Sequence, residues 1–152
     1  MEIKIKKLHP DAMIPKYATE FSACFDLCAL LKEGDTCTTI CVSDDSPAIF
    51  RTGLSFEIPR GHSMLIFSRS GHGFNHDIRL ANCVGVIDSD YRGEVKVKLS
   101  NDDVDGGWLS FTHGDRIAQA MIIPVPDVNF IVVDELTETV RGTGGFGSTG
   151  AQ

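Results

Sequence analysis

The sequence predicts an all-β domain of short strands, with at most one short helix and a glycine-rich C-terminal arm. Three observations carry this. β-branched and aromatic residues recur in short runs, turn signals separate the runs at close spacing, and a single window permits a helix. Many short strands so spaced build a β-sandwich or a jelly-roll-like barrel.

Ile3 and Ile5 alternate with Lys4 and Lys6, the period of a strand. Residues 36–42, 49–58, 64–67, 117–123 and 130–133 are rich in β-branched or aromatic residues. Val95, Val97 and Leu99 alternate with Glu94, Lys96 and Lys98. Turns are marked by residues 33–35, 59–61, 91–93, 105–107 and 113–115, each containing glycine. The helix window is 70–80. Residues 82–93 read as an apolar strand running into a polar turn, and the chain returns as a strand over 94–100, a β-hairpin.

At 152 residues and 16.5 kDa the chain fits one domain. Apolar residues at 42% and charged residues at 23% argue against wholesale disorder. No apolar stretch nears the roughly 20 residues of a spanning helix, so no membrane partner is expected. The start lacks the apolar block of a signal peptide, and a cytoplasmic, non-secreted protein is expected, or the cytosol of a host cell for a viral one. A net charge of −7 disfavours stable nucleic-acid binding, though not a small anion held by local donors. Five cysteines without a secretory signal read as reduced thiols. Cys24/Cys28 and Cys37/Cys41 share a spacing that invites zinc, but a strand would hold the second pair about 13 Å apart, so core residues are the default.

Residues 1–136 read as the β domain and 137–152 as its arm. The arm carries five glycines and little to bury. Composition alone makes it a mobile tail. Its order permits another reading: Arg141, Ser148, Thr149 and bare N–H groups such as that of Gly147 suit a phosphate nest, and Phe146 could stack on a base.

Four further segments can carry chemistry. Arg69, Ser70 and Gly71 follow a strand and open the helix window, offering donors to phosphate or an ordinary helix cap. Asn82 through Gly93 holds Asp88 and Asp90, which in an extended segment would share a face and raise each other's pKa; one could serve as a general base, or both could be solvated turn residues. Gln119 interrupts an apolar strand after Arg116 and could orient water or satisfy a buried backbone group. Asp26 lies in an apolar run and needs a cationic partner or an exposed face.

Taken in order, ACFDL, SRSG, GVIDSDYRG, GDRIAQ and RGTGGFGSTG resemble the five motifs of the trimeric deoxyuridine triphosphatases, across residues 23–150. The resemblance implies a jelly-roll-like distorted barrel that hydrolyses dUTP to dUMP and pyrophosphate, keeping uracil out of DNA and supplying dUMP for thymidylate synthesis. By resemblance, Asp88 activates water for attack on the α-phosphorus. Asn82, with Gly85 and the backbone at Val86 and Ile87, reads uracil; Tyr91 packs under deoxyribose, and Lys96 lies close to the nucleoside. Arg69, Ser70, Gly71 and Gln119 bind phosphates. Arg141, Phe146, Gly147, Ser148 and Thr149 form a lid, with Arg141 on the γ-phosphate and Phe146 over the base. Asp26 and Arg116 support the site. The implied cofactor is Mg2+, held mainly by triphosphate and water with no direct protein ligand, and the implied assembly is a homotrimer with interfacial sites.

The sequence departs from the family at Cys24, usually glycine, at Ser68, often proline, and in the acidic stretch 101–107. Three other readings are a deoxycytidine triphosphate deaminase of the same fold, a nucleotide-binding regulator without turnover, and a structural β-sandwich with a loose tail. No spare acid–base pair for deamination stands beside the uracil-reading segment.

Overall fold

A computed structural model describes residues 1–31, 38–41, 47–103 and 108–145. Its strands are β1 (Lys4–Lys7), β2 (Lys16–Tyr17), β3 (Phe25–Cys28), β4 (Thr38–Cys41), β5 (Ala48–Arg51), β6 (Leu54–Glu57) and β7 (His62–Phe67). The helix α1 (Ser70–His76) follows, then β8 (Ile78–Leu80), β9 (Val84–Ile87), β10 (Lys96–Asn101), β11 (Trp108–Phe111) and β12 (Arg116–Pro124). Every strand pairing among the described residues is antiparallel. The largest sheet runs β2-β3-β12-β7-β9; β5-β10-β8, β1-β6 and β11-β4 are smaller. This is the predicted all-β architecture with one short helix, although the sheets do not close into a continuous ring among the described residues.

Alternation explains the core. In β10 the side chains of Val97 and Leu99 are buried while Lys96 and Lys98 face water. With Leu27, Leu54, Met64, Ile78 and Ile117 they form one cluster, in which Phe50 and Phe111 meet edge to face at 5.1 Å. Burying each such side chain is worth about 1.5–3 kcal/mol.

Three expectations are corrected. The run 49–58 is two strands in different sheets. Thr52 and Gly53 break it: Gly53 has φ +68°, and a Cβ there would lie 2.7 Å from Leu30 and 2.8 Å from Ala12. Thr52 Oγ1 donates to the Val95 carbonyl at 2.7 Å, tying the corner to the start of β10. Residues 130–133 form no strand; Phe130, Ile131, Val132 and Val133 are exposed, with no strand paired to them among the described residues.

The third correction concerns the hairpin. β9 pairs with β7, and β10 pairs with β5 and β8, so the two arms belong to different sheets. The segment between them is an arch, not a hairpin. Asp88 through Tyr91 is a turn closed by the Tyr91 N–H on the Asp88 carbonyl at 3.2 Å, so the extended backbone expected to align Asp88 and Asp90 ends at Asp88.

No helix among the described residues is long and apolar enough to cross a membrane.

Candidate active site

The residues singled out from the sequence gather at two places. One lies at the top of the largest sheet, where β3, β12 and β7 run side by side. Gln119 on β12 is paired with Asp26 on β3 and with Phe67 on β7. Arg69 stands two residues beyond the end of β7 and is the residue before α1, with extended backbone and no side-chain cap. The β3–β12 register shifts between Arg116 and Ala118, the irregularity of a β-bulge, a device that re-aims side chains.

The result is a polar cavity of about 430 Å3 lined by Asp26, Arg69, Ser70, Gly71, Arg116 and Gln119, together with Ala18, Ser22, Ala23 and Cys24. Asp26 bridges two cations: Arg69 Nε lies 3.3 Å from Oδ1 and Arg116 Nη1 lies 3.2 Å from Oδ2. The Asp26 side chain is 17% exposed, so this is the cationic partnership its apolar surroundings demand. Two guanidinium groups against one carboxylate leave a net positive charge beside the cavity, suited to an anion. Gln119 Nε2 donates to the Ser68 carbonyl at 2.9 Å, so the amide satisfies a backbone group and also lines the cavity.

Arg69 is fixed on its other side by a residue that sequence reasoning passed over. Its Nη1 donates to His72 Nε2 at 3.0 Å and to the Arg116 carbonyl at 3.3 Å. Burial, helped by the nearby Arg69, His76 and Arg116 charges and opposed by Asp115, pushes the His72 imidazolium down to about 4. The available signal was the three-residue step from Arg69, the spacing of side-chain neighbours on a helical turn. Burial, then Asp26, pushes the Cys24 and Cys28 thiols up, so neither is a ready thiolate.

The second place is the arch. A cavity of about 330 Å3 is lined by Val86, Ile87, Asp88, Tyr91, Glu94 and Lys96, with Val95 at its base. It adjoins one of about 400 Å3 that takes in Asn82, Gly85 and the flanks of β8 and β10; both share Val86, Ile87 and Lys96. Gly85 lies opposite Ile66, where a Cβ would come within 3.1 Å of the Ile66 Cβ. Asp88 is exposed at the end of β9. The arch is pinned through Glu94, whose carboxylate accepts from Arg51 Nε at 3.0 Å and from the Gly53 N–H at 2.9 Å. Among the described residues, none lines both the polar cavity and the arch cavities.

Arg141 is exposed and lines neither place; Gly144 N–H bonds its carbonyl at 3.0 Å. Phe146, Gly147, Ser148 and Thr149 lie outside the described residues, as do Cys37 and residues 104–107. Among the described residues no group of three or more His, Cys, Asp or Glu could hold a metal ion.

Comparison with known proteins points one way. The sequence model of the dUTPase family matches residues 11–150. The deoxyuridine 5'-triphosphate nucleotidohydrolase of Nautilia profundicola is 43% identical over 150 residues, covering 99% of each chain. That of Helicobacter pylori strain J99 is 41% identical over 151 residues, covering 99% of this chain and 97% of the relative. The Staphylococcus bacteriophage 80alpha dUTPase with dUPNHPP shares the fold, with a TM-score of 0.82 over 98% of both chains at 23% identity.

Proposed function

This chain belongs to the dUTPase family, and from that premise we propose that it is a dUTP diphosphatase working by general-base hydrolysis at sites shared between subunits of a homotrimer. The observation that carries the activity is the 43% identity to a deoxyuridine triphosphate nucleotidohydrolase over nearly the full length of both chains.

The phosphates enter the cavity at Arg69, Ser70, Gly71 and Gln119. Its net positive charge and its exposed Ser70 and Gly71 support this. Arg116 acts through Asp26, holding the carboxylate that in turn holds Arg69. The nucleoside enters the arch. Asn82 offers a donor and an acceptor to the uracil edge, joined by the Val86 and Ile87 backbone. Gly85 lets that strand lie close to Ile66, Tyr91 stacks under the sugar, and Lys96 flanks it. A slot too close for a 5-methyl group rejects thymine.

Asp88 takes a proton from water as the water attacks the α-phosphorus. The α–β bridging P–O bond breaks, and pyrophosphate leaves from dUMP. A base placed at hydrogen-bond distance contributes about 10²–10⁴-fold; the rest comes from positioning and charge neutralisation. Arg141 on the γ-phosphate, Phe146 over the base, and Gly147, Ser148 and Thr149 close the chamber.

The donor set suits a magnesium ion carried in by the substrate. Asp26, the carboxylate in the polar cavity, is already engaged by two arginines, so phosphate oxygens and water would hold the ion. When bound, Mg2+ supplies charge neutralisation on the triphosphate. A related phage phi11 dUTPase mutant from S. aureus coordinates a structural Mg(II) ion.

Two features support the trimer. Among the described residues the phosphate cavity and the arch share no lining residue within one chain, so one chain's described part is ill suited to enclose the substrate. The segment bearing Phe130, Ile131, Val132 and Leu136 exposes apolar surface that a neighbouring subunit would cover. The reaction would remove dUTP before uracil enters DNA and supply dUMP for thymidylate synthesis, in the cytoplasm.

Product analysis with dUTP, dTTP, dCTP and UTP, with and without Mg2+, tests the reading. It expects pyrophosphate and dUMP from dUTP and little turnover of the other three. Ammonia from dCTP, or binding of dUTP without turnover, would replace it.

A further inference from the structure

Arg69 is restrained from three directions, and one of them is unusual. Asp26 takes Nε, the Arg116 carbonyl takes Nη1, and His72 Nε2 takes Nη1 again at 3.0 Å. Because the guanidinium can only donate, Nε2 must accept, and the neutral ring carries its proton on Nδ1. Nδ1 has less than 1 Å2 of exposed surface and no hydrogen-bond partner among the described residues. The ring sits edge to face against Phe111, centroids 5.2 Å apart, which fixes its plane.

A buried N–H without a partner costs about 1–3 kcal/mol. A histidine under no further demand would turn its N–H toward a partner. Here the ring spends that contact on Arg69 while it packs edge to face on Phe111. Arg69 lines the phosphate cavity, and among the described residues its bonds use Nε and Nη1 and leave Nη2 without one.

We infer that His72 is a positioning residue: its neutral Nε2, as acceptor, locks the Arg69 guanidinium so that Nη2 points into the phosphate cavity. This deepens the proposed function and rests on its reading of that cavity as the phosphate site. The charged groups around the ring are Arg69 before α1, His76 at the end of α1, and Asp115 and Arg116 at the start of β12. Three of the four oppose protonation, in keeping with the acceptor role.

Two measurements decide it. Nitrogen-15 NMR of the full chain at pH 7 reads the His72 tautomer directly. The expected result is a neutral ring with Nδ1 protonated and Nε2 bare; a protonated Nε2 overturns the inference whatever the enzyme does. Steady-state kinetics with dUTP then compare His72→Leu, His72→Gln and His72→Asn, with thermal melts alongside. The Gln carbonyl reaches the Nε2 position and the Asn carbonyl does not. His72→Gln should stay within about twofold of wild type, while His72→Leu and His72→Asn raise KM about fivefold to tenfold with kcat little changed, the size of one weakened hydrogen bond to a charged group. If His72→Leu does not fold, the Gln and Asn pair carries the comparison. Folded Asn and Leu variants with wild-type KM, or a Gln variant as impaired as Asn, overturn the inference. A wild-type chain inactive on dUTP would defeat the functional reading instead, and the tautomer would still decide this one.

Discussion

Tyr91 folds back over Gly93: its hydroxyl donates to the Glu94 carbonyl at 3.1 Å, and a Cβ on Gly93 would overlap the phenol. The glycine is required by close approach, not by backbone conformation, and it sets the height of the ring at the mouth of the arch. Gly93→Ala should therefore lift Tyr91 without touching the core. Catalytic efficiency on dUTP is expected to fall on the order of tenfold to a hundredfold, with preference for dUTP over UTP narrowed. Paired kinetics with the two nucleotides check this, and unchanged discrimination would separate Tyr91 from sugar recognition.

Asp88→Asn keeps shape and hydrogen bonding but cannot take a proton. Turnover is expected to drop about 10²–10⁴-fold with affinity for a non-hydrolysable dUTP analogue retained. Calorimetric titration beside single-turnover kinetics distinguishes the two effects; normal turnover would remove Asp88 from the chemistry.

Deleting residues 141–152 should spare the fold. Residues 141–145 add no buried side chain, so the melting temperature should move by no more than about 2 °C. Rate should fall at least about tenfold, because Arg141 and the lid residues go with the deletion. A collapse of the melt instead would make the arm structural.

The depressed His72 pKa gives a stability profile with a definite sign. The folded value is about 4 against 6.5 for a free imidazole. Above 6.5 neither state is protonated and the ring imposes no pH penalty. As pH falls from 6.5 toward 4 the unfolded chain gains the proton first, so the folded state loses stability across that window. Melting temperatures at pH 7 and pH 4.5 should differ more for wild type than for His72→Gln; equal differences would place the titration elsewhere.

Chemistry that depends on chain order was legible before the fold was known. Asp26 in its apolar run announced a cationic partner, and the partners are Arg69 and Arg116. Gln119 could orient water or a phosphate or satisfy a backbone group, and its Nε2 bonds the Ser68 carbonyl. Pairing was not legible: strand, turn and strand in residues 82–100 look alike whether the arms bond each other or enter separate sheets, because alternation fixes faces and not neighbours. The run 130–133 misled for a related reason, since β-propensity measures fit to a partner surface and none of the described residues pairs with it. His72 escaped notice because its role depends on how tightly β7 turns into α1.

The division between the arch and the arginine cavity carries a genetic corollary. If each chamber borrows its carboxylate from one chain and its arginines from another, a chain crippled at Asp88 spoils one chamber, and a chain crippled at Arg69 spoils a different one. Two inactive alleles expressed together would then assemble some chambers with both halves intact, and each defect would rescue the other.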